Sequence, residues 1–232
     1  MCVFFDDRLL RGNRSVKVDS RQLSAFDSPN FPWLAAVGTE IRLNQGVFLS
    51  PPKRRFNVHT QLNTCISVVR LIPGFDDQYF IDMVRCASTK GKPIIQSDSL
   101  TIIPSFLSLS RSKDSRLRGI ILALYGTGNA PTQKREFIEA VKEAIDKGII
   151  VVACSQCLRG MVRLHKYAVG SALHSIGVVS AGDMTIEATA TKLSYLIGKG
   201  LDNGQVRESI GKSLTGELTE TLLEESGGKA KL

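Results

Sequence analysis

The sequence predicts an α/β fold: the end of one domain, then a smaller domain built on a mostly parallel sheet flanked by helices. Short aliphatic runs, Cys65–Ile72, Gly119–Tyr125 and Ile149–Cys154, alternate with segments of helical periodicity. The last two runs are apolar at nearly every position, as strands covered on both faces must be. The segments between the runs are long enough for crossover helices, which favours parallel neighbours.

From the N-terminus, Val3–Phe5 and Leu9-Leu10 flank Asp6-Asp7-Arg8 in a hairpin pattern, and after a polar stretch Phe31–Val37 has helical spacing. A Pro/Arg-rich run, Ser50–Phe56, reads as a linker. Cys65–Ile72 is closed by Pro73-Gly74, and Asp76-Asp77 then sit where a helix N-terminus favours acidic groups, ahead of Tyr79, Phe80, Met83 and Val84. Gly119–Tyr125 leads through a loop at Gly126–Ala130 to Pro131, placed at the first position of a helix with an apolar stripe of Phe137, Ile138, Val141, Ala144 and Ile145. Lys147-Gly148 ends that helix, and Ile149–Cys154 is the third strand. A long polar stretch, Ser155–Gly170, precedes Ile176–Val179, which reads as a short fourth strand or the end of a helix–strand passage. Asp183 is expected to cap a helix running to Ile197, and Asp202 to start another. The expected organisation is therefore 1–45 as the end of a first domain, 46–62 as a linker, 63–226 as the α/β domain and 227–232 as a tail. Residues 89–117, with seven serines from Ser97 to Ser115, read as an insertion or as sequence foreign to the mature chain, because such connections usually take about 2–6 residues.

Composition narrows the function. With 43% hydrophobic and 22% charged residues over 232 positions, the chain is ordinary globular material. Its apolar runs fall short of the roughly 20 residues a membrane span needs, and MCVFFDDRLL is not read as a signal peptide. The net charge of +8 is uneven: 1–60 carry +4, 61–130 carry +3 and 131–232 carry +1. Thr89–Arg118 alone supplies +4, with Phe106 its sole aromatic, which argues against a nucleic-acid face. The five cysteines (2, 65, 86, 154 and 157) are an odd set best read as free thiols in a reducing compartment, so the chain is expected to be cytoplasmic. Cys154 and Cys157 form a CxxC, but His165 and His174 lie at the wrong interval to complete a zinc site, so no metal is expected.

Chemistry is expected at the carboxyl ends of the strands. Gly126-Thr127-Gly128-Asn129-Ala130-Pro131 has two glycines, an Asn amide and backbone N–H groups near a helix start. It could hold a carboxylate or amide, or be a plain tight turn. It lacks the third glycine of a dinucleotide loop and the Lys-Ser/Thr of a P-loop. Ser155-Gln156-Cys157 could line the same cleft; as a nucleophile Cys157 would need His165 or His174 as base. No GxSxG elbow is present.

Eight fragments in order resemble the type I, cytoplasmic L-asparaginases. They are LLRGNR (9–14), AFDSPNFPWLAAVG (25–38), VVRLIPGFDD (68–77), RGIILALYGTGNAP (118–131), KGIIVVACSQCLRGMV (147–162), YAVGSAL (167–173), GVVSAGDMTIEATATKLSYLIG (177–198) and LTGELTE (214–220). The resemblance implies a two-domain amidohydrolase that turns L-asparagine and water into L-aspartate and ammonia. It would use a threonine nucleophile without metal or organic cofactor, in a homodimer or tetramer. The family's nucleophile lies in a TGGT-like motif and a second threonine in GTDT; neither motif occurs in these 232 residues, so no catalytic residue is assigned here. The chain is accordingly expected to be the C-terminal portion of such an enzyme, inactive by itself. By the same resemblance Gly128 and Asn129 reach the substrate of a neighbouring subunit. Ser155, Gln156 and Cys157 match the loop that holds an asparagine effector in bacterial members. The arginine those members carry two residues before the loop's tyrosine is Ala123 here, which removes a bidentate carboxylate partner. Two rival expectations are a non-catalytic partner of a full-length asparaginase paralogue and an unrelated thiol enzyme using Cys154 and Cys157.

Overall fold

The computed structural model describes residues 1–53, 55, 57–74, 76–87, 116–166 and 168–219. The expected insertion at 89–117, apart from Arg116 and Leu117, and the 227–232 tail lie outside the described residues.

The chain opens with a small antiparallel region. Strands β1 (Cys2–Phe5) and β2 (Arg8–Arg11) form the predicted hairpin, whose turn residues Asp6 and Asp7 both have positive φ (49° and 56°). That is the conformation a two-residue hairpin turn demands, and Asp tolerates it better than most side chains. A two-residue ladder follows, β3 (Val16–Lys17) with β4 (Phe26–Asp27). The segment expected to be helical from Phe31 to Val37 is instead a loop running into strand β5 (Ala35–Val37), which pairs with β2 and with β6 (Ile41–Leu43). The helical spacing misled because Pro32 interrupts it and because Phe31 and Trp33 stack on arginines: Arg11 and Arg14 lie 4.1 and 4.9 Å from the Phe31 centroid, and Arg8 lies 4.2 Å from that of Trp33. The sheet order is β1-β2-β5-β6.

The larger region is the predicted parallel sheet. Strands β7 (Ile66–Arg70), β8 (Gly119–Leu124), β9 (Ile150–Ser155) and β10 (Val179–Ser180) lie in the order β10-β9-β8-β7, every pair parallel. The helices are α1 (Asp77–Cys86), α2 (Arg135–Asp146), α3 (Ala168–Ser175), α4 (Ile186–Gly198) and α5 (Asn203–Ile210). All twelve residues of β8 and β9 are buried, and their alternation divides them between two cores. Ile120, Leu122, Leu124 and Val151 face Phe80, Val84, Phe137 and Val141 of α1 and α2. Ile121, Ile150, Val152 and Cys154 face Leu193, Ile197, Val206 and Ile210 of α4 and α5. Each such aliphatic side chain taken from water contributes about 1.5–3 kcal/mol.

Two of the helix starts match expectation and two differ in detail. The helix expected after Asp76-Asp77 is present, with Asp76 as its cap accepting from Gln78 N at 2.9 Å, and Asp202, the expected start of α5, forms a full capping box with Gln205. Helix α2 starts at Arg135 rather than at Pro131, since Pro131 to Lys134 form a turn closed by Lys134 N donating to the Pro131 carbonyl at 3.0 Å. Thr185, not Asp183, caps α4, its hydroxyl accepting from Ala188 N at 3.0 Å. The polar stretch expected at Ser155–Gly170 is bounded by regular structure, with Ser155 ending β9 and Ala168 starting α3.

The connector ahead of β7 lies on α4. Asn63 N donates to the Ser194 carbonyl at 3.0 Å, and Ser194 Oγ returns a bond to the Asn63 carbonyl at 2.6 Å. His59 stands edge-on to the Tyr195 ring at 5.5 Å.

Candidate functional site

The central strands β8 and β9 end side by side, so the segments that follow them share one rim of the sheet. After β8 the chain makes a tight reversal in which Tyr125 and Asn129 bridge through backbone bonds of 2.8–3.0 Å. Gly126 and Gly128 take φ of 52° and 127°, values that a side chain would strain, so the two glycines are what allow the reversal. It leaves Gly128 buried and Asn129 exposed, with the Asn129 backbone engaged by Tyr125. Arg163 N donates to the Thr127 carbonyl at 3.0 Å. Thr127, Gly128, Asn129, Arg163, Val169 and Gly170 enclose a cleft of about 270 Å³.

The second expected group reaches the first. Ser155 Oγ donates to the Gly126 carbonyl at 2.7 Å and accepts from Cys157 N at 3.1 Å. Gln156 faces the other way: its amide Nε2 donates to the carbonyls of Leu71 and Ala123 at 2.5 and 2.7 Å, while its Oε1 accepts from Arg70 Nε at 3.2 Å. Gln156 thus stitches the ends of β7, β8 and β9, and Ser155 ties the Gly126 turn to β9.

The two CxxC cysteines have opposite environments. Cys157 is exposed, whereas Cys154 is buried, and burial pushes its thiol up against the weaker pull of the Thr189 hydroxyl. A raised thiol is a poor nucleophile at neutral pH, and Cys154 is a core residue. His165 and His174 stack edge to face at 6.1 Å. Among the described residues no group of three or more His, Cys, Asp or Glu could hold a metal ion, and no helix is long and apolar enough to cross a membrane.

The strongest polar constellation joins the two sheets and was not assigned from the sequence. Arg14, 2% exposed, places Nη1 2.8 Å from Asp183 Oδ2, while its Nε donates to the Gly216 carbonyl at 2.8 Å and its Nη2 to Thr219 Oγ1 at 2.9 Å. Thr219 completes the ring through its N–H and hydroxyl, 2.9 and 2.5 Å from the Asp183 carboxylate. Arg11 adds a bond to the Gly216 carbonyl at 3.0 Å and another to the Val47 carbonyl. Behind this ring Lys192 and Glu217 form a buried pair at 2.7 Å. Burial pushes the Glu217 carboxyl up, but the Lys192 ammonium and the backbone N–H groups of Leu214 and Thr215 outweigh it and bring it down to about 2. Burial holds the Lys192 ammonium below its usual range, against the opposing pull of Glu217. The signal lay in LLRGNR, GDM and LTGELTE, which are separated by up to about 205 residues and meet here.

A family model described as the glutaminase/asparaginase C-terminal domain matches residues 66–210, and one described as asparaginase, N-terminal, matches 1–48. L-asparaginase 1 of Escherichia coli (strain K12) is 36% identical over 222 residues, covering 94% of this chain and 55% of that protein. The 60 kDa lysophospholipase of Mus musculus is 33% identical over 94% of this chain and 34% of its own length. The crystal structure of L-asparaginase I from Vibrio cholerae superposes with a TM-score of 0.75 at 33% identity, over 94% of this chain and 57% of that one. The chain therefore spans from about a third to somewhat over half the length of these relatives. With both family models matched in order and the fold shared with a solved member, this chain belongs to the glutaminase/asparaginase family.

Proposed function

We propose that these residues act as the C-terminal portion of an L-asparaginase, an amidohydrolase that converts L-asparagine and water to L-aspartate and ammonia. The observation that supports this is the ordered match of both family models on an asparaginase-like fold. In this reading Gly128 and Asn129 present an exposed amide to the substrate of a neighbouring subunit in a homodimer or tetramer. An Asn side chain can both donate to and accept from an amide or carboxylate, which suits a substrate bearing both. Of Ser155, Gln156 and Cys157, Ser155 braces that turn; an effector there would contact Cys157, since Gln156 is engaged by the strand ends. Five cysteines, none of them joined in a disulfide, accord with a cytoplasmic setting.

Acyl transfer from an amide needs an activated nucleophile and an oxyanion donor pair. The 232 residues contain neither TGGT nor GTDT, so by themselves they are expected to release no ammonia from L-asparagine. Turnover by the purified chain at ordinary enzyme rates, about 1–10³ per second, would overturn that expectation. Because one relative is named a lysophospholipase, acyl release from a lysophospholipid belongs in the same assay, and turnover there in place of asparagine would redirect the substrate assignment.

A further inference from the structure

We propose that an open cleft beside β5 and β6, separate from the Gly128–Asn129 cleft, binds an amphipathic anion: a single carboxylate or phosphate head carried on an apolar body. The cleft measures about 630 Å³, within the roughly 300–1,000 Å³ of small-molecule sites. Phe31 and Trp33, with the prolines on either side of Phe31, give it an apolar wall. Arg42, Arg159 and the Asn44 amide supply donors at its rim. Ser28, only 5% exposed, sits in the wall with a hydroxyl that has no hydrogen-bond partner.

The charges on the cleft favour an anion. Asp27 is its acidic residue, and its carboxylate is partly occupied: Oδ1 lies 3.4 Å from the Trp33 indole N–H and Oδ2 lies 4.0 Å from Arg159 Nη2. That leaves two guanidinium groups against one carboxylate, and a guanidinium is the side chain best matched to a carboxylate or phosphate. The apolar wall disfavours a bare inorganic ion and favours a head with a hydrocarbon body.

The walls are held in place, so little ordering would be lost on binding. Asn30 bridges two other segments, donating to the Asp183 carbonyl at 3.0 Å and accepting from Gly160 N at 2.8 Å. Phe31 is backed by Arg11 and Arg14, and Trp33 by Arg8.

Trp33 is the chain's single tryptophan, so its emission reports on this cleft alone. The test titrates the intact chain with octyl phosphate and octanoate below their aggregation concentrations. Octanol serves as the uncharged control and inorganic phosphate as the head alone. A saturable shift of Trp33 emission is expected with at least one of the two amphiphiles, the tighter one identifying the head. Octanol and inorganic phosphate should bind about tenfold or more weaker. The double variant Arg42→Ala/Arg159→Ala should lose about tenfold in affinity with an unchanged circular dichroism spectrum. Arg159→Ala alone, at a side chain 81% exposed, gives a smaller loss in a variant that keeps the fold. No saturable change with either amphiphile, an equal response to octanol or to inorganic phosphate, or unaltered binding by the folded variants would overturn the proposal.

Discussion

The two sheets of this molecule solve the same burial problem in different ways. In the parallel sheet every residue of β8 and β9 is buried between two layers of helices. In the N-terminal sheet β1 alternates between exposed and half-buried, and all three residues of β6 are exposed. The register puts Phe4, Leu9, Val37, Ile41 and Leu43 on one face, with Phe4, Ile41 and Leu43 more than half exposed. The parallel region holds itself together by area removed from water. The N-terminal region is fastened by a few directional contacts, chiefly Arg11 and Arg14 on the 214–219 segment. A sheet with little core of its own depends on buried polar contacts whose partners must all be present.

The largest effect should come from breaking that fastening. Arg14→Ala leaves the Asp183 carboxylate buried without its cation, and the expected loss is about 3–5 kcal/mol by urea denaturation. Hydrogen exchange in that variant should quicken in β2 before β8 and β9; uniform loss of protection would mean that the two regions are one cooperative unit. Phe137→Ala attacks the other mode, opening a cavity under α2 at a fully buried ring and costing about 3–5 kcal/mol, with β8 and β9 among the amides affected.

Acid provides a graded version of the first experiment. Glu217 is held at about 2 in the folded chain against an ordinary 4.5, so its contribution is complete above 4.5 and is lost as pH falls toward 2. The loss is on the order of 3 kcal/mol, and a Glu217→Gln variant should show a correspondingly flatter stability profile over that window. The smallest effect is local: Thr185→Ala removes the α4 cap and should cost about 1 kcal/mol in a thermal melt.

How much of this was legible in the sequence follows the same division. Local signals located the hairpin at Asp6-Asp7, the helix starts at Asp76 and Asp202, and the strands β7, β8 and β9, of which β8 and β9 are fully buried and β7 is a half-exposed edge, because turn chemistry and apolar runs act over a few residues. They failed at Phe31–Val37, where arginines from elsewhere claim the aromatic rings, and at Asp183, which looks like a cap but serves as the counter-ion of Arg14. A bond between residues 14 and 219 has no local signature; it showed only as two family-like fragments at opposite ends of the chain. At the candidate site the sequence brought Gly128 and Asn129 to a strand end, but the engagement of Gln156 with Leu71 depends on the packing of β7 beside β8.

The central claim is that these residues can serve as the C-terminal portion of an L-asparaginase. Its most direct test joins them to the part of Escherichia coli L-asparaginase 1 that they do not match and measures ammonia release from L-asparagine. The account predicts turnover by the folded chimera, with kcat/KM falling about tenfold or more on Asn129→Ala. A folded chimera that releases no ammonia would contradict it.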